Sequence, residues 1–339
     1  MIFIDGSMGE GGGQVLRTSL SLSLVSGRGF RIENIRARRR KPGLMRQHLT
    51  AVRAAAEISG ARVHGDELGS TELVFEPGEL RPDDYEFAVG TAGSTVLVLQ
   101  TILPPLLLDG APSSVTVEGG THNMKAPVFE FLEHAFGPQL EGMGAGVSFG
   151  LEQHGFYPAG GGRLRAELRE PIDKSAHLEL VERGELLRIR ATSLIAHLPE
   201  HVASRELEAL EAELSVGLDE ARIVDIAQSR SPGNTLVVEV ESERVTEVFT
   251  AIGQKGIRAE EVAKTCSDAV NAYLESGAPV GPHLADQLLV PMAITSGGVF
   301  RTSQCTRHTD TQLGLIPRFV DARLERHDED GSSIIRVEV

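Results

Sequence analysis

Cysteine is scarce in this chain. Cys266 and Cys305 are the only two among 339 residues, too few for a disulfide framework or a cysteine-built four-ligand zinc site. Tryptophan is absent and aromatic residues make up 4%. No long apolar run exists either: the most hydrophobic stretch, Val96–Leu108, is interrupted by Thr101 and by Pro104-Pro105. It falls short of the roughly 20 residues a membrane-spanning helix needs. The opening residues Met1–Ser7 lack the basic and apolar regions of a secretory signal. An excess of positive charge is also missing. With 33 Lys and Arg against 48 Asp and Glu, the net charge is −15, which argues against coating nucleic acid or anionic membrane by bulk attraction. These absences point to a soluble, cytoplasmic protein with no membrane partner, and the length suits two or three domains.

The charge that is present is unevenly placed. Ten basic residues lie between Arg17 and Arg53, with Glu33 the only acid among them. That segment carries +9 and leaves −24 for the rest. Arg36, Arg38, Arg39, Arg40, Lys41 and Arg46 form its densest part. Guanidinium groups match phosphate oxygens in bidentate fashion, so a phosphate site is the chemistry this cluster suggests. If Ile32–Ala37 is a strand, Arg36 and Arg38 point away from the same face as Ala37 and share the other.

Ile2–Asp5 reads as a buried strand, followed by the turn Gly9–Gly13. Gln14–Ser26 fits either period, and Gly27 after it favours a helix. Gln47–Ser59 is a clearer amphipathic helix with Gly60 as its stop. Ser94–Leu103 and Pro127–Phe136 read as further helices, and Thr71–Phe75, Glu86–Val89 and Ser114–Glu118 as strands. Strand, glycine turn and helix recur at a spacing of about 80–100 residues, a loose internal repeat. From Glu182 to Ser276 glycine thins and acids multiply, as in a separate acidic α/β module. Within it Thr246–Ile252 reads as a short helix.

Several motifs bear on chemistry. Glu10-Gly11-Gly12-Gly13-Gln14 at a strand-to-helix junction can bring backbone N–H groups to an anion, with Arg17 one turn further on. No Gly-Lys-Ser/Thr follows, so it is not a Walker A loop. His154–Leu164 is a long glycine-rich loop of unusual composition. Asp286 reads as a loop or helix-terminal acid, and Thr306–Asp310 as a polar loop holding His308 near Cys305. Each piece alone is also compatible with an ordinary turn or surface loop.

In their order and spacing these motifs closely resemble the RNA 3′-terminal phosphate cyclases. The resemblance spans essentially the whole chain: Glu10–Arg17, Ile35–Ala37, Lys41–Leu44, Gln47–Leu49, the His154–Leu164 loop, Pro232–Asn234 and Leu284–Leu288. It implies an α/β (α+β) fold of three repeated units, each with two helices on a four-stranded sheet, and a smaller inserted α/β domain. On this division residues 1–181 hold units one and two, 182–276 the insert and 277–339 the third unit.

The resemblance implies an ATP-dependent ligase that converts an RNA 3′-terminal phosphate to a 2′,3′-cyclic phosphodiester. The reaction passes through a covalent His–AMP intermediate and an RNA-pp-adenosine end. His308 matches the adenylated histidine. Arg17, Arg36, Arg39 and Gln47 match phosphate-binding positions, accompanied by His48. Glu10 matches the acid near the ATP phosphates and a Mg²⁺ or Mn²⁺ ion. Gln100, Pro127, His283, Leu284, Ala285, Asp286 and Gln287 match nucleotide-binding positions. His283 stands where tyrosine is frequent, and Gln312 where asparagine is frequent. Two other readings are a non-catalytic cyclase-like ribosome-assembly scaffold and a transferase of small phosphorylated metabolites. The oligomeric state is left open, a homodimer included.

Overall fold

The computed structural model describes residues 1–339. The chain builds four small sheets and eight α-helices. In order, the first elements are β1 (Ile2–Asp5), α1 (Gly13–Ser26), β2 (Phe30–Glu33), α2 (Arg46–Ser59), β3 (Arg62–His64) and β4 (Leu73–Glu76). The next are β5 (Asp84–Ala88), α3 (Thr95–Asp109), β6 (Ser113–Gly119), α4 (Gly137–Gly142), β7 (Gly146–Gln153) and β8 (Gly162–Glu170). A π-helical stretch, Phe131–Phe136, leads into α4. Then come β9 (Leu178–Leu180), β10 (Leu186–Ala196), α5 (Glu200–Glu213), β11 (Glu220–Asp225), β12 (Gly233–Ser242), β13 (Thr246–Ile252) and α6 (Ala259–Ser276). The chain ends with α7 (Pro282–Ala293), β14 (Gly298–Thr302), α8 (Arg307–Leu315), β15 (Arg323–Glu329) and β16 (Ser332–Glu338).

Three sheets have the orders β1-β2-β4-β3, β5-β6-β8-β7 and β9-β14-β16-β15. In each, the first pair is parallel and the other two pairings are antiparallel. The fourth sheet, β11-β10-β12-β13, shares this pattern of one parallel edge pair and two antiparallel pairings but has a different strand order. It packs with α5 and α6 over its own cluster of 14 buried apolar residues, while 65 others form the main core. β9 precedes this fourth sheet in sequence yet pairs with β14 after it.

Burial explains several departures from the local sequence signals. Thr246–Ile252 is strand β13, not a helix. Its β-branched residues Thr246, Val248, Thr250 and Ile252 alternate along the strand, a period that pairing with β12 exploits. The strand expected over Ile32–Ala37 ends at Glu33, because Asn34 and Arg36 take positive φ (57° and 55°) and turn the chain. Helix α3 continues through Pro104 and Pro105 to Asp109. It is buried almost all round against α1 and α2, and that packing outweighs the lost helical hydrogen bonds. No helix is long and apolar enough to cross a membrane.

Candidate active site

The site is assembled where α1, α7 and α8 meet. Gly11 has φ 61°, which only glycine adopts without strain, and it turns the chain from Glu10 into α1. Gly12 and Gly13 are needed for a second reason. A Cβ on Gly12 would lie 2.2 Å from a Glu10 carboxylate oxygen, and one on Gly13 would lie 2.4 Å from His48 Nε2 and 2.8 Å from the Arg17 guanidinium. The missing side chains let Glu10, Arg17, Arg39 and His48 crowd the start of one helix.

His308 is in the first turn of α8 instead of a polar loop. The Thr306 hydroxyl caps this helix by accepting from the backbone N–H groups of His308 and Thr309. The cap competes with the loop conformation that polar composition alone suggests. On the same helix the Thr311 hydroxyl accepts from the Glu10 N–H at 3.0 Å, joining α8 to the glycine turn. His308 Nδ1 donates to the Gln14 side-chain oxygen and lies 3.9 Å from Glu10 Oε1. The Gln14 amide nitrogen donates to Asp286 Oδ2 at 3.1 Å. With its proton on Nδ1, the His308 ring keeps the Nε2 lone pair for attack. Burial and the guanidinium groups of Arg17 and Arg39 lower the His308 pKa against the opposing pull of Glu10, which favours the neutral ring.

The Glu10 side chain is buried, and one of its oxygens pairs with Arg39. The other, Oε1, has no hydrogen-bond partner. A buried carboxylate oxygen without a donor suits a cation. His48 is buried as well; desolvation first, then Arg17, Arg36 and Arg39, push its pKa down to about 3. It therefore stays neutral and adds no repulsion to the arginines. Burial pushes Arg17 down to about 10, which leaves it charged at neutral pH, and no protein side chain pairs with it. The Arg36 guanidinium also closes its own loop, one nitrogen donating to the Lys41 and Gly43 carbonyls at 2.8 and 2.7 Å. Much of the +9 segment is likewise paired. Arg31 meets Glu33 and Glu72, Arg53 meets Asp66, and Arg38 donates to the Gly9 carbonyl.

The nucleotide-binding candidates divide. Gln100, Asp286 and Gln287 line a cavity of about 50 Å³ together with Gln14, Arg17 and Gln312. That is room for a few water molecules, so a purine requires the lining side chains to move. Gln100 Nε2 faces burial without a partner. Asp286, in the middle of α7, is pushed up to about 7 by burial. His283 is exposed on the first turn of α7 and lies close enough to influence His308. Leu284 and Ala285 are core residues with no exposed side chain. Pro127 is half-buried after β6 and outside this cavity. Gln47 accepts from the Ser94 N–H at 3.1 Å, tying α2 to the start of α3.

Two contributors were not marked as site residues by the motifs. Gln14 belongs to the glycine motif but gains its role only through contact with His308 and Asp286. Gln312 is buried and donates to the Asp286 carbonyl at 2.6 Å, joining α8 to α7. Its longer side chain, compared with asparagine, provides that reach.

Known proteins place the chain in context. The family model described as RNA 3′-terminal phosphate cyclase matches residues 8–325. A protein of that name from Koribacter versatilis is 53% identical over 97% of this chain and 93% of its own length. Another from Ralstonia nicotianae is 47% identical over 100% of this chain and 97% of its own. A solved EPSP synthase from Acinetobacter baumannii covers 95% of this chain and 61% of its own at 12% identity, with a TM-score of 0.29, a likeness too slight to bear on function. Matches of this identity along the full length show that the chain belongs to the RNA 3′-terminal phosphate cyclase family.

Proposed function

We propose that the chain is an ATP-dependent RNA 3′-terminal phosphate cyclase with His308 as its nucleophile. The observation that carries this reading is the Nδ1 contact of His308 with Gln14, made beside the buried Glu10 and the Arg17 and Arg39 guanidinium groups. His308 Nε2 attacks the α-phosphorus of ATP, a P–N bond forms, and the bond to pyrophosphate breaks. The RNA 3′-phosphate then attacks the same phosphorus, regenerating histidine and leaving an RNA-pp-adenosine end. The neighbouring 2′-OH attacks the RNA phosphorus, AMP leaves, and the hydroxyl proton passes to solvent or a nearby base. The required 2′-OH restricts the cyclised end to RNA.

Arg17 and Arg39 offset charge on the phosphates, and Gln100, Asp286 and Gln287 hold the nucleotide. His283 lies at the rim of this set, and Pro127 is read as an adenine contact. Glu10 Oε1 is the oxygen that fits Mg²⁺ or Mn²⁺. Such an ion, when bound, neutralises phosphate charge as bonds are exchanged. Arg36 shapes the basic loop, and Gln47 with His48 keeps α2 against the phosphate end. The three sheets of common order are read as three copies of one unit. Residues 1–181 and 277–339 then form the catalytic body around an inserted domain at 182–276, with β9 as the strand that begins the third copy. The protein is placed in the reducing cytoplasm.

The test uses ATP labelled at the α-phosphate. Wild type should retain covalent label and His308→Ala should not, and a 3′-phosphorylated oligoribonucleotide should drive ATP to AMP turnover. Equal labelling of both proteins, or no RNA-driven turnover in wild type, overturns the proposal. The scaffold reading predicts the second result.

A further inference from the structure

A second group of ligand-type side chains lies outside the proposed nucleotide site. His122, Glu130 and His154 come from the end of β6, the entry to the π-helical stretch and the end of β7. Each offers a ligand atom, and these atoms all lie within 4.8 Å of one another. The His122 side chain is fully buried, while Glu130 and His154 are partly accessible. His122 Nε2 faces the Glu130 carboxylate at 3.0 Å. Its other nitrogen, Nδ1, is 2.8 Å from the Thr121 hydroxyl, which also accepts from the Gly155 N–H at 2.9 Å. Anchoring one imidazole nitrogen so that the other faces a ligand position is the arrangement found around protein-bound metals.

A plain ion pair between His122 and Glu130 accounts for two of the three groups. It does not account for His154, whose ring lies beside His122 with centroids 5.2 Å apart. We propose that His122, Glu130 and His154 bind a divalent transition-metal ion, with Zn²⁺ as the best chemical match. Two imidazoles and a carboxylate suit Zn²⁺ better than Mg²⁺ or Ca²⁺, which take oxygen ligands. Three protein ligands leave a fourth position for water, reached from the accessible side of Glu130 and His154.

The ion's role follows from its location. His154 begins the glycine-rich loop, and Phe156 in that loop packs against the His122 ring. On its other side Phe156 meets Gly233 at the start of β12, where an added Cβ would fall 2.1 Å from the ring. A bound ion would fasten the ends of β6 and β7 to the start of the π-helical stretch, behind this contact with the fourth sheet.

The test begins with full-length protein stripped by a chelator and titrated with Zn²⁺ by calorimetry and Co²⁺ by absorption and electron–nuclear spectroscopy. Wild type should bind one equivalent through two imidazoles and gain thermal stability. His154→Gln and Glu130→Gln should each weaken binding at least tenfold while retaining the wild-type circular dichroism. His308→Ala and Glu10→Gln should keep the ion. Because His122 is fully buried, so that its replacement disturbs the fold, the Co²⁺ ligand signature of wild type supplies the second measure. The proposal is overturned if Zn²⁺ is not bound stoichiometrically, if the ligand signature lacks two imidazoles, or if loss of the ion follows His308→Ala or Glu10→Gln instead.

Discussion

Replacing Gln14 by methionine removes both hydrogen bonds of the amide and nearly preserves its volume. The two bonds affect different quantities. The Gln14 nitrogen bonds to Asp286 at 3.1 Å in a buried setting, so its loss should cost about 1 kcal/mol of stability. The Gln14 oxygen accepts from His308 Nδ1, and this bond strengthens as the ring becomes positive during attack on phosphorus. A hydrogen bond to a charged group contributes about 1.5–3 kcal/mol, which is about 10- to 100-fold in rate. The His308 side chain is 41% exposed, so water can replace part of the lost contact. The expected decrease is therefore near tenfold. Single-turnover transfer of label from α-phosphate-labelled ATP to the protein measures it directly, with urea unfolding as the separate stability readout. If Gln14→Met is adenylated at the wild-type rate while the Asp286-linked loss of stability is present, the assigned positioning of His308 is refuted.

Gly13→Ala brings a methyl group to 2.4 Å from His48 Nε2 and 2.8 Å from Arg17. Adenylation should fall at least tenfold, and a structure of the variant should show Arg17 or His48 displaced; unchanged activity would contradict the crowding described at the start of α1. Glu247 tests electrostatics away from the proposed catalytic histidine. Burial pushes its pKa up to about 8, and its carboxylate accepts from the N–H of Gly281, the residue just before α7. Between the ordinary carboxyl range and about pH 8 the native state holds a proton that the unfolded state has released. This group's contribution to stability is consequently full at low pH and declines as pH rises through that window. Glu247→Gln should gain stability relative to wild type from pH 5 to pH 8 in urea unfolding, and a gap that stays constant would refute the burial argument.

Local signals sufficed for elements whose two determinants agree. α2 has an amphipathic period and a glycine stop, and Gly60 takes φ 60° as that stop requires. β13 illustrates the reverse. Its short segment carries Glu247 and Phe249 between β-branched residues, and pairing with β12 decides between two admissible periods. Arg36 illustrates a third case. Its charge was legible, but its positive φ and its bonds to Lys41 and Gly43 depend on how the turn closes.

The sequence by itself determined the family, through the order of motifs from Glu10 to Leu288, and the placement of basic charge in an acidic chain. Through that resemblance it also marked His308, Glu10, Arg17 and Arg39 as candidates, each by its place in a motif. Only the tertiary structure brought Gln14 to His308, a separation of 294 residues, and set Gln312 against the Asp286 backbone. It also gave His122, Glu130 and His154 a common centre. Residue identity supplies donors, acceptors and charge, but hydrogen bonds and metal ligation act over a few ångströms. Which groups come within that reach is decided by packing, through contacts that local periodicity does not encode.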